Sequence, residues 1–302
     1  MKTKNVKKIL FITLSNIGDV VLTSPTLLTL IKQYKNAKID VVGDSRSKIL
    51  FTHCPMINGF YEKDKTKGLL GTISLIRALR KNQYDIAVDL RSDGLLYFIR
   101  AKKKFHKVRN NDVHSVVKHL QSIKELSIPH PAIWIGKKNE IEARKILPKK
   151  YDKILAIGLG ANSSHKIWPA KNYAALCAML KSSFTLVVLV GSKEDNQLTE
   201  HFKKFFDGNV ININGVTDLL TTAAILKRAE LFIGNDSGLG HIASAVKTKT
   251  FTIFGPGEPD RYRPWGAESY WYQNNEKDIS KIKPAVIFQS IIKNLGLAAE
   301  KK

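Results

Sequence analysis

The stretch LFIGNDSGLGHIASAV, at residues 231–246, decides how this chain folds. Leu231, Phe232 and Ile233 form a short apolar run of strand type. Gly234, Gly238 and Gly240 punctuate the residues after it, with Asn235, Asp236 and Ser237 between them, and small residues then continue at helical period to 246. Strand, glycine turn and helix start, in that order, make a unit whose free N–H groups and helix dipole face outward beyond the strand's carboxyl end. Glycine lets a ligand approach the backbone, so the turn suits a diphosphate. Asp236 at a helix start can bond first-turn amides and fix the loop. Ser237 can serve as cap or as ligand. His241 falls in the first helical turn, where it either reaches a phosphate or sugar hydroxyl or is satisfied within the fold.

Further short, largely β-branched apolar runs lie at 9–14, 39–42, 86–90, 154–158, 186–190 and 250–254. They read as strands buried on both faces, the mark of a parallel sheet. Helix-period stretches alternate with them at 24–34, 69–82, 170–181, 194–205 and 219–227, so the class is α/β with doubly wound sheets. The charged segment 133–152, with Pro148 and a possible helix over 139–146, separates two strand-helix series and sets domains of 1–150 and 151–302. An amphipathic tail at 279–295 has no strand behind it and could return to pack on the first domain.

Other constellations fall at strand ends, where open α/β sheets bind ligands. In LSNIGDVVLTSP, Asp19 sits in a turn before a helix entered near Ser24 and Pro25. There it can take a proton from an incoming hydroxyl or cap the helix, and position alone does not choose. Gly18 is the sole glycine of this turn, which disfavours a dinucleotide fingerprint. Lys166, just before Trp168 and Pro169, is suited to neutralising a diphosphate leaving group. In VLVGSKEDNQ, Glu194 can hold ribose hydroxyls. The turn in TIFGPGEPDRYRPWG, with Arg261, reads equally as structure or as site.

Net charge is +23, and residues 1–150 hold 30 Lys and Arg against 12 Asp and Glu. The first half therefore attracts an anion: nucleic acid, an acidic membrane surface or an acidic substrate. Cys54 and Cys177 are too few for a disulfide framework and fit no zinc spacing. The N-terminal lysines precede an apolar run that ends at Leu14, too short for a secretory leader, and no window supports a membrane span. A cytoplasmic protein is the expectation.

Four segments, in order, resemble glycosyltransferase family nine, the lipopolysaccharide heptosyltransferases: LSNIGDVVLTSP, the Lys166-Ile167-Trp168-Pro169 element, NDSGLGHIA and FGPGEPDRYRPWG. The last two, at their mutual spacing, are the most specific. The resemblance implies a GT-B architecture, with two Rossmann-like domains facing across a cleft, acceptor on the first and nucleotide sugar on the second. It implies inverting, metal-independent transfer without a cofactor, typically from ADP-heptose to the lipopolysaccharide inner core. Asp19 matches the family's base. Lys166, Glu194, Asp236, Ser237, Gly238 and His241 match donor positions, and Asn162 and Thr217 join that set. The sequence departs from the family at Ala161-Asn162-Ser163-Ser164, where Thr and Ser are frequent, and at Ser237, where Thr is frequent.

With that resemblance the basic half acquires a partner, an anionic lipopolysaccharide-type acceptor. Lys102, Lys103, Lys104, Lys107 and Arg109 are its expected contacts, or else a solvated strand edge. Peripheral contact with the cytoplasmic face of the inner membrane would accompany such an acceptor. Two rivals remain. A nucleic-acid-binding protein would use the charge but not the Asp236 turn, and no helix-turn-helix or zinc-finger pattern is visible. A two-domain nucleotide-sugar epimerase would share the donor turn without needing a base opposite a basic acceptor surface.

Overall fold

The computed structural model describes residues 6–64 and 66–296. The chain divides into two compact units, Met1–Trp134 and Ile135–Lys302. Each is a Rossmann-like layer structure around one parallel sheet, the α/β class expected from the sequence.

The first unit comprises β1 (Lys8–Ile12), α1 (Ile17–Gln33), β2 (Lys38–Gly43), β3 (Ile57–Glu62), α2 (Gly68–Arg80), β4 (Tyr84–Asp89), β5 (Ala101–His106) and α3 (Ser115–Ser122). The sheet order is β3-β2-β1-β4-β5. On one face Leu10, Ile12, Val42 and Ala87 pack with Leu75 and Leu79 of α2 and with Leu95, Leu96 and Ile99 of a 3-10 turn. On the other face α1 packs against α3.

Helix α1 starts at Ile17, a full two turns before the entry expected at Ser24 and Pro25, and runs straight through Pro25. Proline lacks the N–H that would bond the carbonyl four residues earlier. Here the Ser24 hydroxyl donates to that carbonyl, Val21 O, at 2.7 Å, so the helix continues with the group satisfied. Asp19 is consequently a first-turn helical residue and not a loop residue.

The second unit comprises α4 (Lys137–Ile146), β6 (Ile154–Gly158), α5 (Ala170–Met179), β7 (Leu186–Leu189), α6 (Asn196–Lys203), β8 (Val210–Asn212), α7 (Leu219–Leu226), β9 (Leu231–Asn235), α8 (Gly238–Ala245), β10 (Lys249–Phe254), α9 (Pro259–Tyr262), β11 (Ser269–Gln273) and α10 (Pro284–Leu295). Its six strands run β11-β10-β9-β6-β7-β8. The division at 134/135 lies before the expected 150/151 because α4 belongs here. Asn139 of α4 donates to the Asp218 carboxylate and to Thr221 Oγ1 of α7, and Glu140 pairs with Arg228 at 2.6 Å. Ile287 and Ile291 of α10 lie in this unit's core, with Trp168, Tyr173 and Phe251, so the apolar face of the tail is buried within the second unit.

All seven expected strands are interior ones. The four that sequence reading passed over, β3, β5, β8 and β11, are the sheet edges. An edge strand is half exposed, as the surface lysines of β5 show, so it lacks the continuous apolar run that marks a strand buried on both faces.

Candidate functional site

In the second unit the candidate donor residues gather at the carboxyl ends of β6, β7, β8, β9 and β10. The organiser is Asn235, the last residue of β9 and fully buried. Its Oδ1 accepts from Trp168 N at 3.0 Å and from the Tyr173 hydroxyl at 2.9 Å, and its Nδ2 donates to Leu159 O at 2.7 Å and Gly160 O at 3.3 Å. Every hydrogen-bonding position of the amide is used, which fixes both ends of the loop carrying Lys166. Trp168 is anchored again by its indole N–H, which donates to Ile282 O at 2.9 Å.

That loop brings Lys166 Nζ to Asp236 Oδ2 at 2.5 Å, with the two side chains 33% and 13% exposed. Asp236 thus holds the lysine, rather than bonding the first-turn amides of α8 as a capping residue would. Ser237 occupies the N-cap position of α8 without a side-chain cap bond, and its buried Oγ has no hydrogen-bond partner among the described residues. Gly238 opens the helix, and His241 is buried in its first turn. The turn after β10 lies against Asp236: a Cβ on Gly257 would stand 3.0 Å from Asp236 Oδ2, and Gln273 Nε2 donates to Gly255 O and Gly257 O to hold the turn there. Arg261, in α9, pairs with Glu258 at 2.6 Å.

The loop after β7 contributes a residue that sequence reading missed. Asp195 Oδ2 accepts from Ser192 N at 2.8 Å and Ser192 Oγ at 3.1 Å, closing a capping box. The same carboxylate is wedged between loops: a Cβ on Gly160 would lie 2.0 Å from Asp195 Oδ1, and one on Gly191 2.5 Å from Oδ2. Only glycine leaves room, and the Ser-x-x-Asp spacing was the available signal. Glu194 beside it is exposed. Asn162 is exposed in the loop after β6, and Thr217, between β8 and α7, shares a 2.8 Å bond with Thr222 Oγ1.

The first unit holds the other candidates. Asp19 is partly exposed just beyond β1, and Asn16 Nδ2 donates to its Oδ2 at 3.0 Å. This orients the carboxylate at the positive end of α1 and leaves Oδ1 outside that bond. A cavity of about 510 Å³ opens at the carboxyl ends of β4 and β5, lined by Asp89, Tyr97, His106, Lys107, Arg109 and Lys118 among others. Asp89 is committed to its own loop, accepting from Arg91 N and Ser92 N at 2.8 and 2.9 Å. The cavity's cations therefore outweigh its one carboxylate. Lys107 and Arg109 meet there, whereas Lys102, Lys103 and Lys104 do not line it. They stand on edge strand β5, where Lys102 is spent on Asp85 at 2.7 Å and pulls that carboxyl down to about 2, and Lys103 lies over the Phe105 ring.

Among the described residues no group of three or more His, Cys, Asp or Glu side chains is placed to hold a metal ion. No helix among them is long and apolar enough to cross a membrane. Cys54 and Cys177 are both buried free thiols.

The model of glycosyltransferase family 9 (heptosyltransferase) matches residues 97–289, more than half the chain. The chain is 26% identical to lipopolysaccharide heptosyltransferase 3 of Escherichia coli K12, over 86% of each chain. Its fold matches a family 9 glycosyltransferase from Veillonella parvula with a TM-score of 0.84 at 20% identity, covering 96% of this chain and 97% of that one. It also matches E. coli ADP-heptose heptosyltransferase II with a TM-score of 0.79 at 20% identity, covering 95% and 98%. These neighbours have the GT-B fold of two Rossmann-like domains. Nucleotide-sugar epimerases were expected to share such a donor turn, so the turn alone would not separate transfer from epimerisation; the family match does. The chain belongs to glycosyltransferase family 9, the heptosyltransferases.

Proposed function

We propose that this enzyme moves a heptose from ADP-heptose onto a phosphate-bearing lipopolysaccharide core acceptor, by single displacement with inversion and without a metal. The observation that carries the donor half is the Lys166–Asp236 pair at the glycine-rich start of α8, beside the unpartnered Ser237 hydroxyl. Lysine, first-turn N–H groups and a free hydroxyl together are what a diphosphate leaving group requires. The relatives' names supply the sugar and the acceptor.

In this reading Asp19 takes the proton from the acceptor hydroxyl as its oxygen attacks the anomeric carbon. The bond from that carbon to the diphosphate oxygen breaks, and ADP leaves with the electron pair. Lys166 and the N-terminus of α8 meet the charge that develops on the diphosphate, which is the task a metal performs elsewhere. Glu194 holds the ribose. Lys107, Arg109 and Lys118 hold acceptor phosphates in the first unit's cavity. The enzyme works in the cytoplasm, in peripheral contact with the membrane that carries its acceptor.

The test is to incubate the enzyme with ADP-heptose, with and without a lipopolysaccharide core acceptor lacking the terminal heptose. ADP release and acceptor mass gain only when both are present support transfer. Conversion of the nucleotide sugar without acceptor would overturn it in favour of an epimerase.

A further inference from the structure

One aromatic ring lining the first unit's cavity is not used by the core. Gly94, at φ 83°, leads into the 3-10 turn Leu95–Phe98 from the left-handed conformation that glycine adopts without strain. The turn is then pinned by its first two side chains, since Leu95 and Leu96 are buried with Leu75 and Leu79 of α2. With those two seated, Tyr97 is left outside the core and is 76% exposed. Its ring meets that of His106, with centroids 5.4 Å apart and planes tilted by 35°. His106 ends β5 and stands opposite Asp89, the end of β4, in the parallel register. Both rings line the same cavity as Lys107, Arg109 and Lys118.

A tyrosine exposed this far buries little apolar area, so the fold gains little from it. What the ring offers is a face, which carries partial negative charge and attracts weakly positive C–H groups. A sugar ring presents such C–H groups on its flat side and its hydroxyls at the rim. Cations beside the face can then meet an acidic substituent of the same sugar. The cavity, about 510 Å³, lies within the size range of small-ligand sites. A lone phosphate ion would use the cations and leave the ring idle. A nucleotide would use both, but the groups suited to its diphosphate are at the Lys166–Asp236 turn.

We propose that Tyr97, backed by His106, is the stacking platform for one sugar ring of the acceptor, and that this ring directs its anionic group to Lys107, Arg109 and Lys118. The proposal deepens the acceptor reading of this cavity and rests on it. Recognition is thereby divided. The cations gather the acceptor by charge, and the aromatic face distinguishes an anionic sugar from other anions.

Calorimetric titration of the full chain with a phosphorylated core oligosaccharide, and separately with inorganic phosphate and with ADP, tests this. Tyr97→Ala should bind the oligosaccharide about tenfold more weakly. Tyr97→Phe keeps the face and drops the hydroxyl, and should stay within about twofold of the wild type. Inorganic phosphate and ADP should bind Tyr97→Ala as they bind the wild type. Salt should weaken oligosaccharide binding by the wild type and by Tyr97→Ala in equal proportion, whereas Lys107→Ala/Arg109→Ala should flatten that dependence. In transfer assays Tyr97→Ala should raise the acceptor KM by about tenfold with kcat little changed. Unchanged thermal melting should confirm that these variants fold. Wild-type oligosaccharide affinity in Tyr97→Ala, an equal loss in Tyr97→Phe, or no oligosaccharide binding by the wild type would overturn the proposal. Loss of ADP affinity in Tyr97→Ala would overturn it by assigning the ring to a nucleotide. Binding is read without turnover, so oligosaccharide held through Tyr97 but never glycosylated would refute the proposed reaction and support the platform.

Discussion

The two units carry their candidate groups in opposite ways. In the second, Asn235 uses its whole amide to lock the Lys166 loop, Asp195 is wedged where only glycines admit it, and Lys166 is already held by Asp236. In the first, the Asn16 amide is the one hydrogen-bond partner of the Asp19 carboxylate among the described residues, and the cationic cavity is lined by the long side chains of Lys107, Arg109 and Lys118. The contrast suits the proposed chemistry. A diphosphate of fixed shape rewards a rigid cradle, since groups placed beforehand need no reorganisation as charge develops. A base must keep a carboxylate oxygen available for an arriving hydroxyl, and a large anionic acceptor is gathered by charge more than by fit.

The sharpest break between the units is Asp19→Ala. Turnover should fall by about 10²–10⁴-fold, the usual worth of a general base, while ADP affinity stays within about twofold. Lys166→Ala should do the reverse in binding. ADP affinity should drop by about 10²-fold in calorimetry, because the leaving diphosphate loses its cation while the Asp236 charge remains beside it. Asn235→Ala should cost about 3 kcal/mol or more of stability, since it strands the buried Trp168 N–H and the Leu159 carbonyl, and thermal melting would register it. Gly160→Ala should cost about 1–3 kcal/mol by forcing Asp195 from its place, and ADP affinity should weaken with it.

The smallest effect belongs to the first unit. His119, buried where α3 meets α1 and close to Leu22 O, has its pKa lowered to about 4, chiefly by burial and further by Lys107 and Lys118. A histidine that stays neutral when folded but takes up a proton when unfolded destabilises the fold as pH falls from its ordinary value near 6.5 towards 4. Melting between pH 7.5 and pH 5 should therefore drop more for the wild type than for His119→Gln, by up to about 2 kcal/mol of stability.

The same contrast governs what the sequence made legible. The second unit's turn could be read from physics alone, because strand, glycines and helix start are local and adjacent. Asp19 could not, since base and cap look alike from position, and only the family motif preferred the base. The entry of α1 is not legible because Pro25 resembles a helix start, and the compensating bond from Ser24 to Val21 O is invisible until the helix exists. The structural part of Asp195 is signalled only by Ser192 three residues earlier, the spacing of a capping box. Among the basic residues, sequence adjacency suggested one cluster. The strand direction of β5 instead parts the lysines at 102–104 from Lys107 and Arg109, which turn into the cavity.

The division of labour between base and cradle is tested most directly by measuring ADP binding and sugar transfer side by side for Asp19→Ala and Lys166→Ala. Asp19→Ala should bind ADP like the wild type and fail to transfer, whereas Lys166→Ala should fail at binding. Wild-type turnover by Asp19→Ala, or wild-type ADP affinity in Lys166→Ala, would contradict it.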